Sequence, residues 1–171
     1  MQTRDVLLDA FGRIREAVHE VLEGLGPEQL SFRADPEANS IAWLVWHLTR
    51  VQDDHVWAVA GGEQVWVAEG WDRQFALPLA VPDTGYGHTA EQVGKVRSSA
   101  ALLTGYHDAV FERTAEFVTS LTSDELDRVV DRRWDPPVTL GVRLVSVVGD
   151  DLQHIGQAAF VRGMVERGAG A

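Results

Sequence analysis

Cysteine is absent from the 171-residue chain. Disulfides, a thiolate nucleophile of the protein's own and cysteine-ligated zinc or iron–sulfur centres are therefore excluded, so any metal must be held by nitrogen and oxygen. Positive charge is also scarce: 15 Lys and Arg stand against 26 Asp and Glu, for a formal charge of −11. No cluster of basic residues offsets that balance, which disfavours nucleic acid and anionic membrane surfaces as partners. No uncharged apolar run reaches the roughly 18 residues of a membrane span, and the opening Met1-Gln2-Thr3-Arg4-Asp5 lacks the apolar core of a signal peptide. The expected compartment is cytoplasmic. Gly24, Gly26, Gly61 and Gly62 do not build a phosphate-binding loop, no Gly-Lys-Ser/Thr occurs, and the acids lack the ordered spacing of a calcium loop.

What is present is a globular composition, 45% hydrophobic, of a length that suits one domain over residues 1–171. Four principal helices are legible, and the expected class is all-α, an irregular four-helix bundle. In the first, Asp5 to Leu25, Val6, Leu7, Phe11, Ile14, Val18, Val21 and Leu22 recur at helical spacing until Gly26-Pro27. The second starts after Asn39 or Ser40, either a capping residue, and runs to Ala60 before Gly61-Gly62. Its apolar residues cover most of the circumference, which predicts a central position. The third starts near Thr89, where Thr89-Ala90-Glu91-Gln92 has the capping-box pattern, and continues to about Val118. The fourth runs from near Thr139 to Arg167-Gly168, with Leu144, Val145, Val148, Ile155 and Ala159 turned away from its polar residues. Between helices two and three, residues 62–87 hold too many aromatics for a disordered linker and too many glycines and prolines for a long helix. They predict an ordered long loop packed over an end of the bundle, and a brief helix is expected around Thr122–Leu126.

Two of these helices carry polar groups where apolar ones are expected. In the fourth, Asp150, His154 and Gln157 share one stripe, with Asp151 at its margin. In the second, His47 and Asp54 sit seven residues apart on nearly one azimuth. Polar groups are costly to bury without partners, so two such helices invite a shared site. From the residues alone, His47, Asp150 and His154 read either as ligands of one ion or as a structural hydrogen-bond network. His107 reads as a core histidine, His19 and His88 as surface or loop residues, and His55 points about 100 degrees away from Asp54. Trp43 lies near the His47 azimuth, where it either borders a pocket or packs in the core, and Arg50 either meets an anionic ligand or pairs with an acid.

This arrangement resembles the DinB/YfiT-like superfamily, especially its actinobacterial DUF664, mycothiol-dependent-enzyme-like branch. That family's metal pattern has one histidine on helix two and a His-x-x-x-His pair on helix four. His47 in Trp46-His47-Leu48-Thr49-Arg50 matches the first, and His154 in His154-Ile155-Gly156-Gln157 matches the second member of the pair. The first member of the pair falls on Asp150, a departure from the three-histidine pattern. The resemblance extends from helix one through Phe160-Val161-Arg162-Gly163.

The resemblance implies a DinB-like bundle in which His47, Asp150 and His154 hold a divalent metal, zinc or nickel first and iron or manganese next. Asp54 and Asp151 are reserves as ligands or as supports for ligands. It further implies a thiol S-transferase that joins mycothiol, or a related low-molecular-weight thiol, to an electrophilic substrate. Two other readings stand beside it: a metal-dependent hydrolase with Asp54 or Asp151 as proton acceptor, and a nonenzymatic, stress-associated metal-binding or interaction protein. Homodimerisation through an exposed apolar helix face is compatible with each.

Overall fold

The computed structural model describes residues 2–168. Helix α1 (Thr3–Leu22) buries Leu7, Phe11, Ile14, Val18, Val21 and Leu22, the stripe expected of it, and Pro27 opens a single turn, α2 (Pro27–Leu30). Helix α3 (Ile41–Ala60) begins where the Ser40 hydroxyl accepts a hydrogen bond from the Trp43 backbone N–H, and it ends at Gly61, in a positive-φ conformation. Every residue from Ile41 to Arg50 is buried, so this helix does occupy the centre. The longest helix, here α8 (Leu140–Glu166), is capped by Thr139, whose hydroxyl accepts from Val142 N–H.

The continuous third helix expected from Thr89 to Val118 is instead two helices, α6 (Ala90–Lys95) and α7 (Ala100–Ser120). Thr89 does close a capping box with Gln92. A second cap then competes: Ser99 accepts from Leu102 N–H, while Val96 turns extended, with ψ 94, and buries its side chain. Two satisfied helix starts and an anchored valine replace one uninterrupted ladder. The brief helix near Thr122 is a 3-10 turn, Asp124–Asp127. Beyond it comes a feature not anticipated, the antiparallel pair β1 (Val129–Asp131) and β2 (Val138–Thr139).

Helices α1 and α3 each pack against both α7 and α8, so the bundle order around its axis is α1, α7, α3, α8. The core stripe of α8 is Leu140, Leu144, Val147, Asp151, Ile155, Ala158 and Val161. Val145 and Ala159, expected on that inner face, are exposed. The segment after α3 is ordered, with α4 (Val65–Ala68) and α5 (Trp71–Phe75). It packs against α3 and α7. The Trp71 ring sits so close to Gly105 of α7 that a β-carbon there would come within 2.9 Å of it.

Asp53 ties this segment down. Its carboxylate accepts from the backbone N–H groups of Val65 (2.9 Å) and Trp66 (2.8 Å), the first turn of α4, and from the Tyr106 hydroxyl (2.8 Å). Arg50 completes the network: Nη1 donates to Gln64 Oε1 (2.9 Å) and Tyr106 Oη (3.2 Å), and Nε donates to the Asp83 carbonyl (3.1 Å).

Candidate metal centre

His47 projects from the first half of α3 and Asp150 and His154 from the middle of α8, the helix packed against it. One ligating atom from each lies within 4.8 Å of the other two. The imidazole centroids of His47 and His154 are 4.6 Å apart, edge to face. Adjacent turns of α8 thus bring Asp150 and His154 together, and helix packing adds His47.

Each imidazole is oriented by a main-chain acceptor. His47 Nδ1 is bonded to the Thr84 carbonyl, and His154 Nδ1 lies 2.8 Å from the carbonyl of Asp150. A carbonyl only accepts, so both Nδ1 atoms carry hydrogen, and in the neutral imidazole Nε2 is the nitrogen that keeps a lone pair. Metal-binding imidazoles are prepared in this way, with the far N–H anchored and the near nitrogen free. Asp150 Oδ2 is 3.2 Å from His154 Nδ1, yet that nitrogen's hydrogen bond goes to the carbonyl, leaving buried Oδ2 with no hydrogen-bond partner among the described residues. Two imidazoles and a carboxylate whose ligating atoms lie within 4.8 Å of one another, one carboxylate oxygen making no formed hydrogen bond to the described residues, fit a divalent cation, and zinc, nickel, iron and manganese all accept such a donor set. Three protein ligands would leave a coordination position open.

The two imidazoles differ in protonation tendency. Burial holds His47 below the ordinary imidazole range. Asp150 draws His154 above it, chiefly through their side-chain pairing. Burial works to raise Asp150, but His154 and His47 outweigh it and hold the carboxylate below its usual range.

The loop between α5 and α6 forms the wall on the α3 side. Trp43 stacks on His47 at 4.5 Å between centroids and donates from Nε1 to His88 Nδ1 at 3.1 Å. His88 Nε2 in turn meets both Asp83 oxygens at 3.0 Å, and its ring stacks on Trp46. His88 is therefore on a loop, as expected, but its side chain is only 3% exposed, so it is no surface histidine. Gly85 passes so near the rings that a β-carbon would lie 2.8 Å from His47 Nδ1, and its φ of +93 is one that side chains rarely adopt.

The reserve carboxylates stand elsewhere. Asp54 accepts from Gln64 Nε2 at 2.7 Å, and Asp151 is fully buried on the core stripe of α8 with both oxygens unpartnered. Burial pushes the Asp151 carboxyl well above its usual range. Neither is among the three residues whose ligating atoms converge. Arg50 has zero exposure and serves the Asp53 network, not an anionic ligand. Gln157 is exposed, and His107 is a core residue whose pKa burial lowers to about 4. Asp53, the Thr84 carbonyl and Gly85 were not singled out in the sequence. An acid one residue before Asp54 on a largely apolar helix was the one available signal.

A cleft of about 500 Å³ opens beside Asp150, with His55, Asp131, Arg133, Trp134 and Arg143 among its walls. A larger hollow of about 610 Å³ between α1 and α7 includes His19 and Asp108, but these bond to each other and form no metal-binding group. Ligand geometry, not volume, picks out the site.

Similarity to known proteins bears on this centre. A family model described as mycothiol-S-transferase matches residues 6–167. A conserved protein of Enterococcus faecalis, known from its crystal structure, is 30% identical, with 98% of this chain and 99% of that chain covered and a TM-score of 0.91. No curated protein matches.

Proposed function

Because the chain belongs to the mycothiol S-transferase family, we propose that it is a divalent-metal-dependent thiol S-transferase. In this reading His47, Asp150 and His154 hold the ion, and mycothiol or a related low-molecular-weight thiol is the nucleophile. The observation that carries it is the convergence of the three side chains with both imidazole Nδ1 atoms anchored on carbonyls. A bound divalent ion supplies Lewis acidity that lowers a thiol's pKa and readies it near neutral pH. The chain's own residues do the rest. The Thr84 and Asp150 carbonyls hold the rings in place, Trp43 and the Asp83–His88 loop screen the α3 side, and the cleft beside Asp150 leaves an approach for substrate.

We assign zinc or nickel ahead of iron or manganese. The His154-Ile155-Gly156-Gln157 motif supports the actinobacterial DUF664 branch, with mycothiol as the thiol and the cytoplasm as the compartment. Among the described residues no helix is long and apolar enough to cross a membrane. Homodimerisation belongs to the same reading. Val142, Val145, Leu152 and Phe160 are exposed along one side of α8, at the near-heptad spacing by which a helix packs on its own symmetry mate.

The test is elemental analysis of the tag-free protein after metal-replete purification, repeated on His47→Ala and His154→Ala. Near-stoichiometric divalent metal is expected in the parent and background levels in both folded variants. Thiol transfer is then followed with 1-chloro-2,4-dinitrobenzene, whose carbon–chlorine bond breaks as the carbon–sulfur bond forms and the thiol proton passes to solvent. A replete, folded parent without metal overturns the reading.

A further inference from the structure

The cleft beside Asp150 carries charge that the cluster does not use. On a chain of net charge −11, its walls present two guanidinium groups, Arg133 and Arg143, and, apart from Asp150, one carboxylate, Asp131. Asp131 is committed mainly to Arg133, which reaches it from Nη2 at 2.8 Å and Nε at 3.0 Å. Its contact with Arg143 Nη2 is long, 3.4 Å. Arg143 Nη1 donates to His55 Nδ1 at 3.0 Å, so His55 keeps its hydrogen on Nε2, a second donor on the cleft wall. The Arg143 side chain is 17% exposed, and its Nε makes no hydrogen bond to the described residues. The cleft thus holds a guanidinium only partly neutralised, with donors to spare.

Position gives this charge a purpose. Arg143 and Asp150 are seven residues apart on α8, hence on nearly the same face and about 10 Å apart along the axis. Between and around them the walls are apolar: Val51, Val138, Val147 and the Trp134 ring, 66% exposed. A ligand that suits this channel has an anionic group at one end and an apolar, preferably planar, body reaching toward the ion cluster. Inorganic phosphate offers the charge without the body.

We propose that the cleft binds the carboxylate of an aromatic or apolar organic acid, with Arg143 as the contact residue, and that such acids are the electrophilic co-substrates of the transferase. The co-substrate part of this assignment rests on the transferase reading. In the reaction the thiol sulfur bonds to the electrophilic carbon, the leaving group departs with its bonding pair, and the thiol proton passes to solvent. The Arg143–carboxylate contact holds the body of the acid so that this carbon faces the cluster.

Calorimetric titration of the whole protein, zinc-loaded and metal-free, with benzoate, the neutral isostere benzamide and phosphate tests it. Benzoate should bind the metal-free protein at least about tenfold more tightly than benzamide or phosphate, as a charge-assisted contact predicts. Arg143→Gln should reduce benzoate to the level of benzamide. Asp131→Asn should tighten benzoate severalfold, a gain that a folding defect cannot produce. Equal binding of benzoate and benzamide, equal binding of phosphate, or no tightening in Asp131→Asn overturns the proposal. So does a benzoate preference that appears only with zinc and survives Arg143→Gln, because the carboxylate is then ligating the ion. Failure of the parent to retain metal would sink the transferase reading while leaving the metal-free benzoate comparison intact. With the metal retained, Arg143→Gln should raise KM at least about tenfold for 4-chloro-3-nitrobenzoate and leave its methyl ester unaffected; equal effects on both overturn the co-substrate assignment.

Discussion

Two polar groups are buried on α3 within two turns of each other, around Asp53 and around His47, and they differ in what their neighbours leave over. Asp53 accepts two backbone N–H groups and a tyrosine hydroxyl, with Arg50 Nη1 3.6 Å away. Its hydrogen bonds join α3, α4 and α7, so the network is architecture. Around His47 main-chain carbonyls anchor one nitrogen of each ring, and Asp150 Oδ2, 3.2 Å from His154 Nδ1, makes no formed hydrogen bond to the described residues. Both groups cost desolvation, and burial pushes the Asp53 carboxyl above its usual range despite its partners. In one the chain itself supplies most of the compensating interactions, although buried Arg50 Nη2 has no hydrogen-bond partner among the described residues. In the other, two imidazoles and a carboxylate converge, the arrangement on which the proposed metal site rests. Burial of polar residues therefore does not mark function; unspent hydrogen-bonding capacity that converges on one point does.

The largest effect that sharpens this contrast is expected from Asp53→Ala. It strands two N–H groups, a tyrosine hydroxyl and Arg50 in the interior, a loss on the order of 3–5 kcal/mol, read by urea denaturation. His154→Ala should instead remove the metal and leave the apo-protein's midpoint nearly unchanged. Equal destabilisation by the two would break the distinction.

Asp151 provides the opposite sign. Its buried carboxyl has no partner, so Asp151→Leu should stabilise the protein at neutral pH by about 1–3 kcal/mol. Its folded pKa lies well above the ordinary 3.8. Above about pH 4, where the unfolded carboxyl titrates, the folded chain keeps a proton that the unfolded chain has released. Stability therefore falls as pH rises through that window up to the raised folded pKa. The advantage of Asp151→Leu should accordingly grow from pH 5 to pH 8 in paired unfolding curves, and a constant difference would contradict it.

Gly85→Ala acts on the supports of the cluster. A β-carbon 2.8 Å from His47 Nδ1 should displace the ring from the Thr84 carbonyl and weaken metal affinity roughly 10- to 100-fold, measured by competition with a chromophoric chelator. The smallest effect belongs to Asp54→Asn. Asp54 sits on the Asp53 side of the divide, bonded to Gln64, so metal content should stay unchanged and stability should shift by less than about 1 kcal/mol. Loss of metal in this variant would join the two groups that the geometry keeps apart.

Much of this was legible in the residues. The apolar spacing of α1, the Ser40 and Thr139 caps and the i, i+4 relation of Asp150 and His154 are local properties, set by helical periodicity and by hydroxyls that satisfy the first free N–H groups. The break at Val96–Ser99 was not legible, because a continuous helix and two capped helices satisfy the backbone almost equally and burial of Val96 decides between them. Asp151 was misplaced because one turn offers both Asp150 and Asp151, and only the packing of α8 shows which faces the core. By itself, the sequence determined an all-α chain whose metal chemistry is restricted to nitrogen and oxygen, and it named His47, Asp150 and His154 as the residues to watch. Tertiary structure alone decided that these three meet, that the Thr84 and Asp150 carbonyls orient the rings, and that Arg143 shares a cleft with Asp150. Side-chain convergence between α3 and α8 depends on how the helices pack, and no local pattern encodes that distance.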